Sequence, residues 1–358
     1  MTSLAEATIS PATAATQALE SRAPHDGTMR CPVCGGPAHE KTELGSYAFR
    51  KEDFPLVEHF YLCQECQEEF TTSEQDILDA AQVHNQYRER HGILFPEQIA
   101  ALREGYGLSA SKMAEVLGMG TNSYRQYEKG EIPSDSNAAL LALVKNPETF
   151  RELALRKREL FTEKELDKLL ERIRNMAEKP LQALGSHYWD RFRQPDQFQG
   201  YAAVSKDKLQ NMILFFLERA RPFMVKLNKL LFYADFLHYK RSGRSISGTR
   251  YKAIQMGPVP KDYDILFGLL ESEGVLEKEY VSFSNREGAE RLVGTAPARL
   301  EAFEPGELAC LEEVAAKMGS LNTAEIVEMS HQEQAWRENV DKKRVISYQK
   351  HAFFLQNV

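Results

Sequence analysis

The chain has 358 residues, more than one small core accommodates, so two or three domains are expected. A formal net charge of -7 excludes a protein that coats nucleic acid through bulk electrostatics, and any DNA contact has to be local. No apolar run reaches the roughly 20 residues needed to cross a bilayer, so no membrane partner is expected. The first segment, residues 1–28, is rich in Ala, Ser and Thr and has no charged start ahead of an apolar block. A disordered tail is expected there, not a signal peptide.

Residues 29–75 contain two knuckles, Cys31-Pro-Val-Cys34 and Cys63-Gln-Glu-Cys66. Each CxxC offers two soft ligands from one tight turn, and the intervening segment brings the turns together as a tetrathiolate. Two disulfides or a redox CxxC are the competing readings, but the strand-helix context of a redox pair is missing. One structural Zn2+ per chain is therefore expected on Cys31, Cys34, Cys63 and Cys66, and thiolates holding a metal fit a cytoplasmic protein. The aromatic and apolar residues between Tyr47 and Leu62 suggest short strands, so the unit reads as a zinc ribbon whose folding energy comes largely from the metal. His39 and His59 flank a shell already complete and read as loop residues. The fifth cysteine, Cys310, reads as a buried small hydrophobe.

Residues 76–150 read as a compact helical domain. Pro96 marks a helix start, Ile99 and Leu102 recur at helical spacing, and Gly105 and Gly107 end the helix. Ser109 then caps a helix that puts Met113, Val116 and Leu117 on one face. The turn Gly118-Met119-Gly120 follows, and a second helix from Thr121 to Lys129 buries Tyr124 and Tyr127 before Gly130 and Pro133 stop it. Two short helices joined by a glycine turn form a helix-turn-helix, whose second helix enters a major groove. Its outward residues are Thr121, Asn122, Arg125 and Gln126; Asn and Gln pair with adenine and Arg with guanine. Between Ser109 and Pro133 the bases Lys112, Arg125 and Lys129 balance the acids Glu115, Glu128 and Glu131, so one copy binds poorly and a homodimer is expected.

Residues 151–202 read as a helical linker. Leu166, Leu169, Leu170, Ile173 and Met176 give a narrow apolar seam, suited either to a spacer packed on its neighbours or to a dimerisation element, and Pro180 closes the helix. Tyr188, Trp189, Phe192 and Phe198 then mark a connector over 186–201 that docks on the next domain or contacts a partner. Residues 203–358 read as an all-helical domain with a small β-hairpin insert. Leu209 to Leu217 form one helix and Val225 to Tyr239 a denser, central one; Arg250 to Met256 and Val275 to Phe283 alternate as the two strands, and Gly257 to Pro260 is a rigid turn. Later helices are expected near 305–318, 322–336 and 342–355. The whole is a mainly α chain.

The front half resembles the MqsA-type antitoxins, in which a zinc-binding CxxC pair precedes a helix-turn-helix ending in a Tyr-Glu-Lys-Gly box, here Tyr127-Glu128-Lys129-Gly130. The resemblance implies base reading by Asn122 and by the position four residues on, where Gln126 stands in place of that family's Arg, with Arg125 adjacent. The rear half resembles the SocA-like, or Panacea, domain through Lys226-Leu-Asn-Lys-Leu-Leu-Phe-Tyr-Ala-Asp235 and Tyr251-Lys-Ala-Ile-Gln-Met-Gly-Pro-Val-Pro260. That resemblance implies direct neutralisation of a partner toxin. Leu227, Leu230, Leu231 and Tyr233 are expected in the core, whereas Lys226, Lys229, Asp235, Tyr251, Gln255 and Met256 are expected on a polar or exposed face that meets the toxin.

The two resemblances together imply a type II antitoxin that neutralises a cognate protein toxin and represses its own operon by binding operator DNA. The alternatives are a transcriptional regulator whose rear domain senses a ligand or phage protein, and an adaptor delivering clients to an ATP-dependent protease. No enzyme is expected: His331-Gln-Glu-Gln lacks the second histidine of a zinc peptidase, and no glycine-rich phosphate loop occurs. Asp235 and His238, about one turn apart, read as a core histidine beside an acid, not as an acid-base pair.

Overall fold

A computed structural model describes residues 28–177, 189, 194–282 and 288–358. The expected tail over 1–27, Pro180, Phe283, and Tyr188 and Phe192 of the connector lie outside the described residues. The chain is mainly α, as expected. Its described residues fall into two compact units: one gathers 48–54 and 71–177, the other 28–47, 55–70 and the described part of 189–358.

A four-stranded antiparallel sheet opens the chain: β1 (Thr28–Arg30), β2 (Pro37–Phe49), β3 (Glu52–Cys63) and β4 (Glu69–Phe70), in that order. Thr28, expected in the tail, pairs with His39. The expected short strands are instead a long hairpin of 13 and 12 residues. Its turn is Arg50-Lys51, and both residues are left-handed (φ 48° and 68°), a conformation usually left to Asn or Gly. The tip is held by its side chains. Arg50 donates to the carbonyl oxygen of Pro133 at 3.2 Å and lies over the rings of Phe49 and Tyr87, while Glu52 accepts from Arg90 at 2.7 Å. Residues 48–54 of the hairpin group with the first unit, and its described residues 28–47 and 55–70 with the second.

The first unit continues with α1 (Ser73–His91), α2 (Pro96–Tyr106), α3 (Ala110–Leu117), α4 (Ser123–Glu128), α5 (Asp135–Leu143), α6 (Pro147–Arg156) and α7 (Glu163–Ala177). Thr72 and Gln75 form a capping box at α1, and the Ser109 hydroxyl accepts from the Lys112 amide at α3, a contact contributing about 1 kcal/mol. Tyr106 stacks on Phe150 at 3.9 Å and donates its hydroxyl to the Val144 carbonyl at 2.7 Å. Leu169 and Ile173 of α7 are buried in the same core as Tyr106, Met113 and Tyr124. Of the two readings of the seam, the helix therefore spends it on packing against its neighbours.

The second unit contains α8 (Lys206–Ala220), α9 (Met224–Ser242), β5 (Tyr251–Ile254), β6 (Gly257–Pro260), α10 (Tyr263–Ser272), β7 (Leu276–Val281), β8 (Ala289–Gly294), α11 (Pro305–Met318), α12 (Thr323–Gln332), α13 (Gln334–Arg337) and α14 (Tyr348–His351). Every residue of α9 from Lys226 to Tyr239 is buried, because α8, α11, α12 and β6 pack around it. The single expected hairpin is two. Gly257 to Pro260 is not a turn but the strand partner of β5, tolerating two prolines as an edge, and β7 pairs with β8. The helix expected over 322–336 breaks at Glu333, whose buried carboxylate accepts from Tyr233, Asn357 and the Gln356 amide at 3.2, 2.8 and 3.1 Å. The expected 342–355 helix shrinks to α14 and a following 3-10 turn.

Candidate functional site

The four knuckle cysteines converge. Their sulfur atoms all lie within 4.8 Å of one another, with Cys31 and Cys66 at 3.6 Å and Cys34 and Cys63 at 3.5 Å. A tetrahedral ion with bonds of about 2.3 Å requires sulfurs about 3.8 Å apart, so the set fits zinc. Both knuckles reach this geometry through the same backbone device: the residue four beyond the first cysteine, Gly35 or Gln67, is left-handed (φ 78° and 59°). The amides of Val33 and Gly36 then point at the sulfurs of Cys31 and Cys34, each at 3.4 Å. The amides of Cys66 and Glu65 do the same at Cys63 and pull its thiol down to about 7. Cys66 receives the Glu68 amide, yet hydrogen bonding with Cys34 and its other neighbours pushes it up to about 12. Four thiolates cannot share so small a volume without a cation, and a divalent ion removes that opposition.

Cys31 and Cys63 are buried against Ala38, Tyr61 and Phe70, while Cys34 and Cys66 face outward. His39 and His59 lie in strands β2 and β3, not in loops, and neither belongs to the cluster; His59 is buried with its ring 5.3 Å from Phe353. Cys310 is buried, as expected of a small hydrophobe.

The helix-turn-helix is α3, the left-handed Gly118 (φ 70°) and α4. Tyr124 donates to the Ile99 carbonyl at 2.8 Å, and Asn137 donates to the Tyr127 hydroxyl at 2.8 Å. Glu128 takes a 2.5 Å hydrogen bond from Arg103, and Gly130 presents its carbonyl to the buried Arg88 at 2.6 Å. The Tyr-Glu-Lys-Gly box is therefore a lock that fixes the orientation of α4. Thr121, Asn122, Arg125 and Gln126 are all exposed. Asn122 sits at the cap of α4 without spending its side chain on a capping hydrogen bond. The supports Arg88 and Arg103 were not singled out in the sequence; both partners lie more than twenty residues away, and no local pattern marks them.

The six rear residues separate. Gln255 and Met256 form the exposed turn between β5 and β6, with Met256 48% exposed. Lys226, Lys229, Asp235 and Tyr251 are buried, which corrects the expectation of a polar or exposed face. Three of the four make internal hydrogen bonds. Asp235 accepts from the Ile246 and Ser247 amides, both at 2.9 Å, from the Ser247 hydroxyl at 2.6 Å and from Tyr251 at 2.8 Å. Burial pushes its carboxyl up to about 6 against these donors. Lys226 donates to the Gly319 and Leu321 carbonyls at 2.7 and 2.6 Å, closing the end of α11. Lys229 has no hydrogen-bond partner among the described residues, and burial pulls its ammonium down to about 7. His238 donates Nδ1–H to the Arg244 carbonyl at 2.7 Å and is a core histidine. Leu227, Leu230, Leu231 and Tyr233 are core, as expected.

Two family models match this chain. Residues 29–154 match the model described as the antitoxin component of a bacterial toxin-antitoxin system, MqsA, and residues 227–337 match the antitoxin SocA-like, Panacea domain. The chain is also similar to the antitoxin MqsA of Escherichia coli (strain K12), with 30% identity over 131 residues, 35% of this chain and 99% of that protein.

Proposed function

The chain belongs to the MqsA antitoxin family and carries a SocA-like Panacea domain behind that part, and on this premise we propose that it neutralises a cognate protein toxin by direct contact and represses its own operon. The observation that carries the reading is the presence of two antitoxin-type domains, of different families, in one polypeptide. The rear domain contacts the toxin. The front domain binds the operator as a homodimer, with Asn122, Arg125 and Gln126 at base edges and Thr121 at the backbone. Cys31, Cys34, Cys63 and Cys66 hold one structural zinc per chain, which fixes the knuckles and takes no part in chemistry.

The test uses the full chain and the protein encoded by the adjacent gene. Co-purification of the two, relief of that protein's growth inhibition, and a gel shift on the chain's own promoter are the expected results. Asn122→Ala should weaken operator binding by about 1–3 kcal/mol, the discrimination of one bidentate base contact, and leave growth rescue intact. No complex and no rescue with the intact chain sinks the antitoxin reading; unchanged operator affinity in the variant removes Asn122 from base reading.

A further inference from the structure

The second unit has an open groove of 680 Å3 bounded by the start of α9, the β5–β6 turn and α12. Its floor and walls are largely apolar, with Phe223, Met256 and Val327 among the lining groups, and the cationic side chains of Arg221 and Lys226 and the imidazole of His331 also line it. Glu328 is the acid in the lining. A cleft of this size with an apolar body and a few convergent polar groups is the usual form of a recognition site.

The polar groups are arranged for an anion. Arg221 is exposed and left-handed (φ 42°), and it follows the last residue of α8 directly. The first turn of α9 begins beside it, with no side-chain cap on its amides and no acid in that turn, so the positive end of a 19-residue helix has no counter-charge within its own first turn. Lys226 spends two of its three N–H donors on carbonyls and keeps one. His331 stacks on Trp336 at 3.8 Å, and its Nε2 is buried with no hydrogen-bond partner among the described residues. One turn further along α9, Lys229, without a hydrogen-bond partner among the described residues, lies beside Gly257: a Cβ placed there would sit 3.1 Å from its Nζ. An orphaned buried polar atom lining an open groove, here His331 Nε2, is an unspent cost that a hydrogen-bonding occupant relieves. In the lining itself Arg221 and Lys226 outnumber the one acid, Glu328, while Glu279 and Glu325 lie close enough to interact with Arg221 and Lys226 respectively.

We propose that this groove is where the Panacea domain grips its toxin, and that the occupant is an acidic segment of the toxin flanked by apolar side chains. The carboxylates face Arg221 and the start of α9, and the apolar side chains lie against Phe223, Met256 and Val327. The proposal rests on the antitoxin reading above and adds the docking face and the chemistry of the partner.

The experiment titrates the full chain with the adjacent gene's protein by calorimetry. Arg221→Glu and Met256→Glu, both at exposed positions, should each weaken binding by about tenfold or more, with the thermal melt unchanged. Raising salt from about 50 to about 300 mM should weaken the intact chain and have much less effect on Arg221→Ala. Leu44→Glu, an exposed apolar position on β2 away from the groove, should bind as the intact chain does. If the intact chain binds and both charge-reversal variants bind equally well, the groove is not the docking face while the antitoxin reading stands. If Arg221→Glu tightens binding, the occupant is basic and the proposal fails in its chemistry. If the intact chain does not bind at all, both fall together.

Discussion

Lys229 is a cation placed inside α9 with no hydrogen-bond partner among the described residues, and its effect on stability has a definite sign. Burial lowers the folded ammonium from 10.5 to about 7. Between about pH 7 and 10 the unfolded chain therefore holds a proton that the folded chain lacks, so stability rises with pH across that window. Below pH 7 both states are protonated and the full desolvation cost is present. Lys229→Met removes the cost and keeps the volume. It should raise stability by about 1–4 kcal/mol at pH 6, with the gain shrinking towards zero near pH 10, as read from urea melts at the two pH values. A gain that does not vary with pH would show that packing, not charge, is responsible. The residue types of this helix were legible, but their exposure was not. Lys226 and Asp235 look solvent-facing in sequence because the groups that accept from or donate to them, the carbonyls of Gly319 and Leu321 and the Ser247 hydroxyl, are remote along the chain. Leu227, Leu230 and Tyr233 were legible because apolar residues have one reading.

At the scale of elements, turn chemistry separates what was readable from what was not. The helix-turn-helix announced itself through Ser109, Gly118 and the helical spacing of Met113, Val116 and Leu117, and all of these adopt the expected roles. The long β2–β3 hairpin did not, because its turn uses Arg50-Lys51 in place of Asn-Gly and relies on tertiary contacts to hold two left-handed residues. The β5–β6 hairpin was hidden similarly, its second strand written as Gly-Pro-Val-Pro. The knuckles carry the element-level prediction. Among the described residues the apolar cluster at the cysteines is Ala38, Tyr61 and Phe70 with Cys31 and Cys63, too little to hold two turns without a metal. Cys63→Ser should lower zinc from about one per chain to well below one by elemental analysis, and should reduce strand content while the helices of the first unit keep theirs. A full zinc complement in that variant would contradict the four-thiolate site.

For the whole molecule, charge sets how the proposed DNA binding has to work. The chain is acidic, and the cations near the reading helix are few. Lys112 is engaged with the Leu160 carbonyl at 2.8 Å and Glu115 at 3.2 Å, while Arg103 is engaged with Glu128. Arg125 and Lys129 remain, so one copy neutralises about two phosphates, and the logarithm of affinity should fall with the logarithm of salt at a slope of about -2 per copy, from -0.9 for each phosphate. The proposed homodimer should give about -4, with affinity carried mainly by base contacts from Asn122 and Gln126 on two half-sites about one helical turn apart. Fluorescence anisotropy on the promoter duplex between about 50 and 200 mM salt measures the slope, and a duplex with one half-site scrambled measures the coupling. The scrambled duplex should bind far more weakly than the intact one. A slope steeper than about -6 would mean that phosphates outside the reading helix dominate, and would move the DNA-binding surface away from α4.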